Sequence, residues 1–140
     1  QAAKDANITL GVGLGYDVIP TDCIANVLKE LMPDACDLMI GMQGASQMSP
    51  GSTKEMIEQL GEQPFWARKN GQLIESKATT KNIDVGLGET LAMTIAWGDI
   101  SSAYYSTGIP NIEVYFPSSR RSHLFGVSSA LSLRVECSSP

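Results

Sequence analysis

The stretch GVGLGYDVIPTDC, residues 11–23, decides what kind of domain this chain contains. Gly11, Gly13 and Gly15 follow the apolar run Ile8-Thr9-Leu10 and precede a helical pattern, as they would at the start of a phosphate-cradling loop. Such a loop needs glycines at i, i+2 and i+5, for the tight turn, for backbone approach to the phosphates and for helix–strand packing. Here the third glycine falls at i+4, and bulky Tyr16 stands where the packing glycine belongs. Asp17 follows at once and would repel a phosphate, and Pro20 is expected to delay the helix. The glycines therefore do not form a phosphate loop.

Downstream, Ile24, Val27, Leu28, Leu31 and Met32 recur at the spacing of one buried helix face. Asp17 or Thr21 is expected to cap this helix, Asp22 to oppose its dipole and Pro33 to close it. Upstream, QAAKDANI reads as the tail of a helix entering a strand over residues 8–12, as if cut from a longer protein. Residues 37–44, DLMIGMQG, read as a second strand. A helix over SPGSTKEMIEQLG has Ser49 as cap, Pro50 in its first turn and Gly61 as stop. In FWARKNGQLIE the Asn70-Gly71 pair signals a type I′ hairpin. NIDVG and TLAMTIAW form another strand pair, and NIEVYF alternates as a strand with one buried face. This order predicts an α+β fold: a mixed, mainly antiparallel sheet with helices packed on one face.

Composition narrows the function. With 140 residues, 43% of them hydrophobic and 18% charged, the chain makes one globular domain. A net charge of −5, with Arg120-Arg121 as the nearest thing to a basic patch, argues against a nucleic-acid partner. No apolar run reaches the roughly 18 residues of a membrane span, and the start lacks the pattern of a signal peptide, so the expectation is a cytoplasmic protein without a membrane partner. Cys23, Cys36 and Cys137 are odd in number and lack CxxC spacing, and His123 is the single histidine. The pattern disfavours a disulfide framework and a metal site.

Two segments concentrate chemistry. The first is Tyr16-Asp17 with Thr21-Asp22-Cys23, where two carboxylates and a thiol gather at a strand–helix junction. The carboxylates can orient a polar substrate or move protons, or simply cap a helix; acidic neighbours make Cys23 a poor nucleophile and a better packing residue. The second is WGDISSAYYSTGIPN, expected as a loop with a helical turn, dense in hydroxyls and aromatic rings of the kind that line substrate pockets. The SPGS turn could hold an anion but more simply caps its helix, and His123 reads as a surface histidine.

GLGYDVIPTDCIA, SPGSTKEMIEQL and WGDISSAYYSTGIPNIEVY, in that order, resemble the saccharopine dehydrogenase-like oxidoreductases over most of the chain, to about Tyr115. Members of that family join a Rossmann domain, which binds NAD(P), to an α/β substrate domain. The resemblance implies that residues 1–116 are the substrate and catalytic domain and that the Rossmann domain is a missing N-terminal partner. NAD(P) is then the cofactor of the full-length parent, with none expected for this chain alone. The family's G-[FY]-D-x-x-P-[ST]-D stretch places Gly13, Leu14, Gly15 and Tyr16 near the nicotinamide end of the cofactor, with Asp17, Pro20 and Asp22 at the cleft. Asp17 and Asp22 are the implied catalytic residues. Tyr105, Ser106, Thr107 and Asn111 match the later motif, whose implied role is shaping the pocket for a small-molecule substrate. The serine-rich segment over residues 117–140 departs from the family pattern. A homodimer is expected, and the rival function is a dimerisation or interaction module without chemistry.

Overall fold

The computed structural model describes residues 2–11, 13–15, 18–43, 50–51, 54, 65–85, 88–117 and 130–137. Among them are seven strands in one open, mainly antiparallel sheet and three helices. In chain order these are α1 (Ala2–Asp5), α2 (Ile19–Leu31), β1 (Asp37–Gln43), β2 (Phe65–Lys69), β3 (Gln72–Ser76), β4 (Thr80–Asp84), β5 (Glu89–Thr94), α3 (Asp99–Thr107), β6 (Asn111–Pro117) and β7 (Ala130–Glu136).

The sheet is built around β6. Along one edge β6 pairs parallel with β1, Leu38 opposite Ile112 and Ile40 opposite Val114. Its other edge is shared by two hairpins: β2 meets it at Ile112, through Arg68, and β5 along residues 115–117. β7 runs antiparallel to β1 and forms an edge of the sheet, so part of the serine-rich C-terminal segment belongs to this sheet. The β2–β3 hairpin turns on Asn70 and Gly71, both at positive φ, as its Asn-Gly pair predicts. α3 ends at Gly108, whose φ of +69° gives the left-handed C-cap that glycine adopts without strain.

The core lies on one face. Leu38, Ile40 and Met42 of β1 and Ile112 and Val114 of β6 pack with Ala25 of α2, Ile100 and Ala103 of α3, and Ile109. Helices α2 and α3 therefore cover the same side of the sheet. On the opposite face Tyr115 and Met39 pack under Ile83, Val85 and Ala92 of the β4–β5 hairpin. No helix among the described residues is long and apolar enough to cross a membrane.

Five sequence expectations need correction. Residues 8–11 are not a strand: they pair with no strand among the described residues, and Ile8 and Leu10 are exposed, Leu10 by 70%. Pro20 does not delay α2 but sits in its first turn, where a missing N–H costs no hydrogen bond. Thr21 does not cap that helix; it is buried within the first turn, and Val18 holds the cap position with no side-chain cap bond. The buried face of α2 is Thr21 and Ala25, while Ile24, Val27 and Leu31 face outward, Leu31 by 73%. Small side chains let α2 approach α3 at Ala103, and that close approach turns the larger residues away from the core. The second polar segment is likewise a nine-residue helix, α3, and not a loop. The helix expected over residues 49–60 lies outside the described residues except for Pro50, Gly51 and Lys54, which are helical.

Candidate functional site at the α2–α3 junction

The two chemically dense segments, some 80 residues apart in sequence, meet in space. Thr21, in the first turn of α2, donates its hydroxyl to Asp99 Oδ1 at the start of α3. One residue on, Asp22 Oδ1 accepts a bond from Ser102 Oγ at 3.1 Å, and Ser106 also bonds the Asp22 carboxylate. The segments also come close at Gly98: a Cβ there would lie 3.3 Å from Val18 Cγ2. The junction thus gathers two helix starts, two carboxylates and three hydroxyls.

Asp22 is the group here with the character of a proton carrier. Partial burial raises its pKa above the usual carboxylate value, and the bonds from Ser102 and Ser106 oppose that rise only in part. A carboxylate held this way exchanges protons nearer neutral pH than a free one. Asp99 is fully buried and serves the junction as an acceptor for Thr21.

The remaining residues named from sequence are dispersed. Gly13, Leu14 and Gly15 lie on the exposed approach to α2, with Gly13 at a φ of +69° and the Leu14 side chain in solvent. Tyr16 and Asp17 lie outside the described residues, as do Arg120, Arg121 and His123. Tyr105 stands 84% exposed on α3. Ser106 faces Asp22, and its hydroxyl also bonds Ala103 O at 3.2 Å. Thr107 is buried and engages the backbone, donating to Ala103 O and accepting from Ile109 N. Asn111 acts as a structural tie: its amide donates to Cys36 O at 3.0 Å and accepts from Asn70 N at 2.9 Å. Asn111 makes none of the junction's hydrogen bonds.

A cleft of about 330 Å³ lies on the sheet's opposite face, with Asp37, Lys69, Lys81, Glu113, Arg134 and Glu136 along it. Much of its charge is already matched, Lys69 with Glu113 at 3.7 Å and Arg134 with Glu136 at 2.6 Å. Beside it, burial and the Glu113 carboxylate push the Tyr115 hydroxyl up to about 12, so it acts as a hydrogen-bond donor to Glu113 and not as an acid. No group of three or more histidine, cysteine or acidic side chains among the described residues could hold a metal ion.

Sequence reasoning missed Asp99 and Ser102 as members of the site, and it missed Arg68. That guanidinium is buried, bonds Ile100 O and Gly71 O at 2.7 Å each, and stacks 4.2 Å from the Tyr104 ring, fastening the β2–β3 turn to the start of α3. The signal for Asp99 was its place in a Gly-Asp helix start; Arg68, in an alternating strand, gave none. A scan against models of protein families finds no match for this chain. No curated protein matches it either.

Proposed function

We propose that this chain is the substrate domain of an NAD(P)-dependent oxidoreductase of the saccharopine dehydrogenase-like kind, with Asp22 at its catalytic cleft. The observation that carries the reading is the meeting of Thr21-Asp22 with Asp99 and Ser102, which turns two separate motifs into one polar junction. A second feature supports it. Ile24, Val27 and Leu31 form an exposed apolar stripe on α2, and Leu10 and Leu14 are exposed on the segment leading into the helix. Exposed apolar surface of this extent marks a docking face, and a nucleotide-binding domain is the partner that the resemblance supplies.

Gly13 and Gly15 fit the nicotinamide end of such a cofactor, because backbone without side chains lets a flat ring approach closely. The cofactor, when bound, supplies hydride chemistry. The chain's own residues then hold the substrate and handle its proton. Asp22, kept partly protonatable by burial, takes a proton from a substrate hydroxyl or amine, while Ser102 and Ser106 fix its orientation.

The test follows nicotinamide fluorescence on titration with NADPH. The full-length parent should bind, and this chain alone should not; micromolar binding by this chain alone overturns the reading. In the parent, D22N should lower turnover by roughly 10²-fold with an unchanged melting temperature. Wild-type turnover in that variant would remove Asp22 from the chemistry. The exposed α2 stripe also supports the rival reading, a self-association module without chemistry. Light scattering separates the two, since a strict monomer at high concentration counts against self-association.

A further inference from the structure

The β1–β7 edge holds a feature that cysteine spacing conceals. Asp37 pairs with Glu136 in the antiparallel ladder, and Cys36 and Cys137 are the next residues outward on each strand. Past that last rung the ladder slips by one residue, Cys36 N donating to Glu136 O at 3.0 Å, so the backbones stay in contact there. The two thiols cross over one another's strands: Cys36 Sγ lies 3.7 Å from Glu136 O, and Cys137 Sγ lies 3.3 Å from Asp34 O. The Cys36 side chain is within hydrogen-bonding reach of the Cys137 thiol. Cys36 is also held from its other side, its carbonyl accepting both Asn111 N at 3.2 Å and Asn111 Nδ2 at 3.0 Å. Neither cysteine is in a disulfide; Cys137 is exposed and Cys36 half-buried.

We propose that Cys36 and Cys137 are an oxidisable pair, and that a peroxide-class oxidant joins them in a disulfide locking edge strand β7 onto β1. Each thiol already reaches across to the backbone near the other cysteine, Cys36 Sγ to the carbonyl of the residue before Cys137 and Cys137 Sγ to Asp34 O, and a disulfide needs Cα atoms only roughly 4.4–6.8 Å apart. In the first step the thiolate of one cysteine attacks a peroxide oxygen. The O–O bond breaks, a sulfenic acid forms, and the leaving hydroxide takes up the thiol's proton as water. In the second step the other sulfur attacks the sulfenic sulfur, the S–O bond breaks, and a second water leaves. The two sulfurs lose two electrons in total, and the peroxide gains them.

The cross-link closes a loop of about 100 residues, the length range in which constraining the unfolded chain has its largest effect. It also fastens an edge strand, the part of a sheet most open to peeling and to pairing with other chains. Cys23, on α2, stands outside the pair.

The experiment treats the reduced protein with hydrogen peroxide, followed by thiol titration and non-reducing peptide mapping. Wild type should lose two of its three thiols, fall in mass by about 2 Da, and yield one linked peptide containing Cys36 and Cys137. Its melting temperature should rise by roughly 10 °C over the reduced form. C23S should behave like wild type, and C36S and C137S should form no internal link. The proposal is overturned if the mapped link contains Cys23, if only intermolecular disulfides form, or if all three thiols survive a peroxide dose that oxidises a free cysteine standard. The wild-type mapping decides the matter even where a serine variant fails to fold.

Discussion

Among single residues, Asp22 carries the sharpest expectation. Burial raises its folded-state pKa above 3.8, so in the acid range the folded protein binds more protons than the unfolded chain. Stability from this group is therefore greatest at low pH and declines as pH climbs through the raised value. Asn at this position has no charge to desolvate and still accepts from Ser102. D22N should therefore melt at or slightly above wild type at pH 7, within about 2 °C, since it removes a desolvated charge and keeps the Ser102 bond. As pH falls from 7 toward 4, wild type should gain on the variant. Thermal melts of both proteins across that range check the sign; a gap that moves the other way would mean that the serine hydrogen bonds, and not burial, dominate the carboxylate.

At the scale of elements, the Asn-Gly turn was the most legible part of the chain, whereas the start of α2 was misjudged and α3 was expected as a loop. Asn70-Gly71 predicted its hairpin because few residue pairs tolerate two successive positive φ values, and the turn forms there. Gly108, which the sequence reading did not single out, ends α3 in the left-handed region, and a Cβ there would meet nothing within 4 Å. G108A should therefore cost only the backbone term, about 1–2 kcal/mol, and G108N less, because asparagine visits the left-handed region more readily. Urea unfolding of the three proteins measures the difference, and equal losses for Ala and Asn would point to a contact and not to φ. Orientation was less legible. The apolar spacing of α2 marked a helix correctly, but it pointed the wrong stripe at the core, because spacing records which residues share a face and not which neighbour comes closest.

For the molecule as a whole, the outward stripe of Ile24, Val27 and Leu31 makes a prediction that separates packing from docking. If these side chains take no part in this domain's own core, the triple variant I24Q/V27Q/L31Q should melt within about 2 °C of wild type. It should also reduce association in light scattering, because the apolar surface has been removed. A25L, at a fully buried position between α2 and the sheet, should instead lose about 1–3 kcal/mol through overpacking. A stripe variant that unfolds as readily as A25L would make the stripe part of the core.

Residues 11–23 alone ruled out a phosphate loop, because glycine spacing and the bulk of Tyr16 are local facts that no fold can change. Alternating patterns and turn pairs likewise determined most of the strands and the β2–β3 hairpin, since each rests on interactions within a few residues. Tertiary structure alone brought Asp22 to Ser102 and Thr21 to Asp99, buried Arg68 against Tyr104, and set Cys36 beside Cys137. Those contacts join residues 36 to 101 positions apart. Their closeness follows from which strand edges pair and which helix faces pack, and those choices are made by the summed burial of the whole sheet rather than by any one segment.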